Sequence, residues 1–302
     1  MPIPLLTDSG LETWLIFHRG VDLPDFASFP LLDDEGGRAL LAEYFNEHLR
    51  LAADAKTGLV LETPTWCANA DWGDRLGYDA AALDRINRDA VAFLRQLGAA
   101  FDDVDLIVSG NLGPRGDGYS PSDLLLPDDA EAYHRAQIDS FRVAGADRIT
   151  VLTATHTGEA IGVVRAALAA GIPAVVAFTV ETNGRLPTGQ PLHEAIAEVD
   201  DATGAAALHF GINCAHPDHF ADAIEVGHPA IGRIELLRAN ASRASHAELD
   251  EAEELDEGDP AELAGQYADL LERHPHLQVL GGCCGTDARH VAAIARACVT
   301  AG

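Results

Sequence analysis

The chain has 302 residues, 47% of them hydrophobic, enough to bury one large core or two small ones. Its 48 Asp plus Glu against 20 Lys plus Arg leave a formal charge of −28, with Lys56 the single lysine, which argues against nucleic-acid binding and against docking on an anionic membrane. No apolar run approaches the roughly 18 to 20 residues of a membrane span, and MPIPLLTDSG lacks the basic-then-apolar pattern of a signal peptide, so the expected location is the cytoplasm.

Short β-branched apolar runs alternate with helical patterns along the whole chain. Strands are expected at 3–8, 58–63, 105–110, 148–153, 174–180, 206–212, 233–239 and 277–282. Each is followed by apolar residues at i, i+3, i+4 and i+7, as in ALLAEYFNEHLRLAADA after the first and DARHVAAIARACV after the last. Helix starts are signalled by Ser122 and Asp123 or Pro127 and Asp128 ahead of the third helix. Pro217 precedes the sixth and Thr286 with Asp287 the eighth. Eight βα units without a composition break predict an α/β fold with one domain over 1–302, a (β/α)8 TIM barrel around a parallel eight-stranded core. Neither GxGxxG nor GxxxxGK[ST] follows an early strand, which weakens dinucleotide and P-loop readings. The acidic connection after strand seven, 241–260, is a solvated segment or a lid over the barrel mouth.

In such a barrel the chemistry sits at the C-terminal ends of the strands. Polar residues gather there: Asp8 and Glu12, Glu62 and Thr63, Asn111, Thr153, Glu181 and Thr182, Asn213 and Cys214, Asn240, and finally Cys283 and Cys284. The five cysteines are too few for a disulfide scaffold, and a reducing compartment favours metal binding or catalysis. Cys214 leaves strand six and Cys283 with Cys284 leave strand eight, on either side of strand seven, so the three sulfurs can converge. Both members of an adjacent pair reach one point only where the chain abandons strand geometry, which Gly281, Gly282 and Gly285 would permit. Three soft thiolates with one open position describe a catalytic Zn2+ site. A vicinal disulfide, two buried core cysteines and an iron–sulfur site short of a ligand are the other readings. Cys67 and Cys298 lack such a setting.

GINC (211–214) with GGCCGT (281–286) resembles the zinc signature of the homocysteine S-methyltransferase family. The resemblance extends to LLTDSGLET near the start, SGNLGPRGDGY (109–119) and LRANAS in strand seven. It implies a (β/α)8 barrel, zinc on Cys214, Cys283 and Cys284, and Asp8 as a substrate-binding acid. The substrates it implies are a small-molecule thiol, homocysteine by default, and an onium methyl donor, with oligomeric state left open. A zinc-bound thiol would be deprotonated and would attack the donor methyl in line. A cationic donor calls for aromatic faces and carboxylates at the mouth, for which Trp14, Phe26, Trp66, Trp72, Tyr78 and Tyr119 are candidates, with Glu62 and Glu181 as acidic companions. Asn111, Asn213 and Asn240 are expected to orient loops or neighbouring groups.

Two positions depart from the family pattern. Ser9 follows Asp8 where the family commonly has glycine, and strand four reads DRITVLTATHTGEA. Leu152 and Thr153 stand there where the family's glutamate grips the amino group of homocysteine. Either another acid is recruited, from Asp8, Glu62 or Glu181, or a different thiol is accepted, and the second is the expectation. Two other functions remain in view: a zinc protein that captures a thiol without turning it over, and a zinc hydrolase. The hydrolase is disfavoured by an all-thiolate shell and the lack of an HExxH motif.

Overall fold

The computed structural model describes residues 3–118, 121, 124–252 and 254–299. Eight parallel strands close into a barrel in sequence order: β1 (Leu5–Thr7), β2 (Leu59–Glu62), β3 (Leu106–Leu112), β4 (Arg148–Ala154), β5 (Ala174–Phe178), β6 (His209–Asn213), β7 (Ile234–Ala239) and β8 (Val279–Gly282). The seam is β1 on β8, with Leu5 opposite Val279 and Leu6 opposite Leu280. All eight expected strands are present, with ends shifted by up to three residues; β3 runs two residues further and so takes Asn111 into the sheet.

Strand parity explains where the polar groups go. Successive residues point to opposite faces, and Val60, Leu152, Val175, Ala177, Leu236 and Val279, with Leu5 and Ile107 against them, make a small apolar cluster of their own inside the barrel. The outward-facing residues join the helices in one much larger core. Two residues beyond the inner apolar layer, the same parity turns Glu62, Thr179 and Arg238 inward, and four residues beyond it Asn111 and Cys283. The polar floor of the barrel mouth thus stands directly on the apolar interior. Strand four breaks the pattern: its register shifts between Val151 and Ala154, and Thr153 takes a φ of 63°, costly for a β-branched residue.

The helices form where the sequence signals them. Asp34, Asp79 and Asp259 cap the helices Glu35–Ala55, Ala80–Gly98 and Pro260–Arg273 with their side chains. Pro127 opens the helix Pro127–Ala144, and Asp287 caps Ala288–Ile294. Tyr119, Ser122 and Asp123 lie outside the described residues. The acidic connection contains one short helix, His246–Asp250, started by a capping box between Ser245 and Glu248. Among the described residues no helix is long and apolar enough to cross a membrane.

Candidate active site

Cys214, Cys283 and Cys284 do converge. Their sulfurs lie within 4.8 Å of one another, with Cys214 Sγ 2.7 Å from Cys283 Sγ and 3.7 Å from Cys284 Sγ. The turn that brings them together is crowded. A Cβ on Gly10 would stand 2.5 Å from the Cys283 carbonyl oxygen, and one on Gly281 would stand 2.7 Å from Asp8 O. Only Gly285 needs a left-handed backbone, at φ 78°; Gly281 and Gly282 are glycines for room rather than for φ, which corrects the sequence expectation. Cys214 itself sits at φ 54°, strained for a residue with a Cβ.

That strain is held from several sides. The Cys214 carbonyl accepts from His246 Nε2 at 2.7 Å and from Thr179 Oγ1 at 3.4 Å, and its N–H donates to Arg238 O at 3.1 Å. Asn213, fully buried, clamps the strained Thr153: its Oδ1 accepts the Thr153 N–H at 2.7 Å and its Nδ2 donates to Thr153 Oγ1 at 2.9 Å. The same Nδ2 lies 3.9 Å from Cys283 Sγ. Hydrogen bonds from Cys214 and Cys284, helped by the Arg238 guanidinium, hold the Cys283 thiol well below its ordinary pKa, while sharing with its two neighbours pushes Cys284 up.

Beside the sulfurs lies a buried charge layer. Arg238 is ion-paired to Asp8 and donates to Thr7 Oγ1 at 2.8 Å and Ser9 O at 3.1 Å. Burial works against its charge, but Asp8, Glu62 and Cys283 outweigh it and hold the guanidinium more firmly charged. Ser9, the departure after Asp8, is anchored on the helix Glu35–Ala55: its hydroxyl lies 3.0 Å from His48 Nε2 and its N–H donates to Tyr44 Oη at 3.0 Å. Glu62 is 4% exposed and neither of its carboxylate oxygens has a hydrogen-bond partner among the described residues. Burial raises its pKa, opposed by Arg148, Arg238 and, more weakly, the neighbouring Ser109 hydroxyl. Glu12 accepts from Ser28 Oγ at 2.8 Å, and burial lifts it to about 7 against that bond, with Cys283 and Asp8 adding to the rise.

Two cavities meet here. The inner one, about 60 Å³, is lined by the three cysteines together with Asp8, Glu12, Glu62, Asn111, Thr153, Asn213 and Arg238, with Leu152 at its floor. The outer one, about 430 Å³, opens above Cys284 between the aromatic faces of Phe17, Phe26, Trp66 and Trp72, rimmed by Asp25, Asp117, Asp250 and Asp256. Trp66 and Phe26 line both. Leu249, Ala252 and Leu255 of the acidic connection form part of the outer wall.

Several sequence candidates are placed elsewhere. Glu181 does not line the inner cavity; it is half-buried and lies 3.2 Å from His246 Nδ1. Asn240 is buried with its N–H on Ala215 O at 3.1 Å and lines neither cavity. Trp14 packs on Tyr44 and Tyr78 on Phe29, both away from the mouth. Sequence reasoning missed Arg238, His246 and Phe17. An arginine in the otherwise apolar run RIELLRA, on the inward parity of its strand, was the available signal for the first. For His246 it was a histidine directly behind a capping serine in the acidic segment.

A closed parallel barrel whose thiols and acids gather at the C-terminal mouth defines the class of (β/α)8-barrel enzymes with a cysteine-built centre. Within that class the chain belongs to the homocysteine S-methyltransferase family, whose model matches residues 5–298, and it is a methyltransferase enzyme. Among solved structures it is similar to the metallated form of the homocysteine methyltransferase MmuM from Escherichia coli. That match has 21% identity over 97% of this chain and 96% of that one, with a TM-score of 0.77. The oxidized form of the same protein matches at 22% identity over 96% and 94%, with a TM-score of 0.79. These likenesses carry the fold. A comparison with curated proteins returns no match.

Proposed function

We propose that this enzyme moves a methyl group from an onium cation to a small thiol held at a zinc ion, with homocysteine the default acceptor and methionine the product, as a cytoplasmic step of methionine biosynthesis. The observation that carries the reading is the clustering of three cysteine sulfurs beneath an aromatic, acid-rimmed cavity. The donor set fits zinc: three soft sulfurs and no fourth protein ligand among the described residues leave one position for substrate. The 3.7 Å between Cys214 and Cys284 is close to the about 3.8 Å edge of a tetrahedron with zinc–sulfur bonds of about 2.3 Å. Cys283 sits nearer to Cys214 than that edge.

Cys214, Cys283 and Cys284 would hold the ion, which when bound would let the substrate thiol lose its proton and stay nucleophilic near neutral pH. Arg238 and Asn213 offset the negative charge gathered on the sulfurs, Arg238 through space and Asn213 by its amide. The faces of Phe17, Phe26, Trp66 and Trp72 suit a sulfonium or quaternary ammonium donor, and the aspartates of the rim favour its charge. Residues 241–260 act as the lid, with Leu249 and Leu255 keeping water from the space where sulfur and methyl must approach to about 3–3.5 Å. No side chain of the protein is methylated in this scheme.

The test is a methyl-transfer screen of the zinc-loaded protein against a small matrix of thiols and onium donors. At least one pair should turn over only with metal bound. Uptake of zinc and thiol without turnover for any donor would overturn the proposal in favour of a thiol-capturing protein.

A further inference from the structure

Resting on that reading, we propose that Glu62 fixes which thiol the enzyme accepts, by receiving the ammonium group of a 2-amino thiol acid. The acids at the barrel mouth differ in what they already hold. Asp8 is ion-paired to Arg238 and accepts the Glu62 backbone N–H at 3.1 Å. Glu12 accepts from Ser28, and Glu181 faces His246 outside the inner cavity. Glu62 alone among these four has both oxygens buried and unpartnered, and it lines the same 60 Å³ cavity as the three sulfurs.

A buried carboxylate without hydrogen bonds costs several kcal/mol, so a fold keeps one where a ligand completes it. Arg148 and Arg238 lie near enough to balance its charge, yet neither donates to it: Arg238 spends its terminal nitrogens on Asp8, Thr7 and Ser9, and Arg148 meets His209 at 3.2 Å through Nη1 while its Nε and Nη2 stay unpartnered. The Ser109 hydroxyl beside it pairs with Thr150 at 2.8 Å and weakly favours the Glu62 charge without satisfying either oxygen. The four charges Asp8, Arg238, Glu62 and Arg148 sum to zero when all are ionised. In a 2-amino thiol acid the ammonium offsets the guest's own carboxylate, whereas in a thiol acid lacking the amine that carboxylate would be an uncompensated negative charge.

The floor contributed by strand four excludes the alternative. Leu152 is apolar, and Thr153 is neutral with its hydroxyl already accepting from Asn213 Nδ2, so strand four offers no carboxylate to an ammonium. The acid expected on strand four is thus supplied across the barrel by strand two, and homocysteine, not a des-amino thiol, becomes the matched acceptor.

The experiment compares homocysteine with 4-mercaptobutanoate, its des-amino analogue, on the zinc-loaded wild type and on Glu62→Gln. Wild type should bind homocysteine roughly 10- to 100-fold more tightly by calorimetric titration, the range for a hydrogen bond to a charged group. Glu62→Gln should lose most of that preference, through a raised KM and a weaker titrated affinity for homocysteine, while the affinity for the analogue falls much less. Equal affinities in the wild type, or an undiminished preference in Glu62→Gln, would overturn the assignment. The titration needs no methyl donor, so a protein that binds homocysteine selectively yet transfers no methyl refutes the proposed function and not the role of Glu62. Should Glu62→Gln fail to fold, the wild-type comparison still decides.

Discussion

His246 Nε2 donates to the carbonyl oxygen of Cys214 across 2.7 Å, joining the short helix His246–Asp250 to the turn that carries the first sulfur. Cys214 occupies a left-handed backbone conformation that costs about 1–3 kcal/mol unless its surroundings enforce it. His246→Ala should therefore weaken zinc retention by roughly 10- to 100-fold, the effect usual for losing a supporting group behind a metal ligand. Glu181→Gln, one bond further out, should do less. Competition with a chromogenic chelator measures both, and unchanged zinc affinity in His246→Ala would show that the link is only local packing.

The three sulfurs should each be needed. Metal analysis of the reduced protein is expected to find close to one zinc per chain, and replacing Cys214, Cys283 or Cys284 by Ala should remove most of it along with activity. The same change at Cys67 or Cys298, which stand apart from the cluster, should leave the zinc content alone. Retention of metal by all three cluster variants would disprove the ligand set.

Aromatic truncation at the outer cavity should act on the donor alone. Phe17 and Phe26 are 44% and 37% exposed, so shortening either to Ala disturbs little packing. Loss of one cation–π face, about 0.5–2 kcal/mol, should raise the donor KM roughly 2- to 30-fold while the thiol KM stays put. Equal effects on both substrates would place these rings in general lid packing.

Glu12 predicts a pH dependence in the metal-free protein. Burial raises its folded-state pKa from 4.5 to about 7, so the folded state prefers the protonated form. Its contribution to stability is complete below about pH 4.5 and is lost as pH rises through about 7. Glu12→Gln should remove that part of the decline, seen as a smaller shift of the urea midpoint between mildly acidic and mildly alkaline buffer. Identical shifts in the variant and wild type would contradict it.

The acidic, lysine-poor composition has two explanations, adaptation to high internal salt or a genome that favours arginine over lysine, and salt distinguishes them. Repulsion among 48 acidic side chains facing 20 basic ones is screened over about 10 Å at 0.1 M salt and about 3 Å at 1 M. A high-salt adaptation should raise Tm substantially between those conditions. A flat or falling profile would leave genome composition as the explanation.

The barrel was legible because the strands are short apolar runs and several helices carry their own start signals, so local chemistry sufficed. The sulfurs were legible because three cysteines at the ends of strands flanking β7 have few other uses. What stayed hidden depends on pairings across the chain. Arg238 meets Asp8 and Thr7, with Thr7 231 residues away along the sequence, and no local pattern announces that Asp8 is thereby occupied. The orphan state of Glu62 is equally invisible, since it is defined by what Arg238, Arg148 and Ser109 bind instead. Glu181 looked equivalent by strand position, but it lies outside the inner cavity, facing His246.

Cys214 and Cys283 are 69 residues apart, and the segment between them holds β7 with its flanking helices. An ion gripping both would cinch that segment into a ring even in the denatured chain, removing about 4 kcal/mol of its conformational freedom if it acts as a covalent cross-link does. The barrel would then have two mechanically different arcs, a cinched one from β6 to β8 and a free one from β2 to β4. Chelation would loosen the first without touching the second, so the metal that serves the chemistry would also decide which side of the barrel yields first.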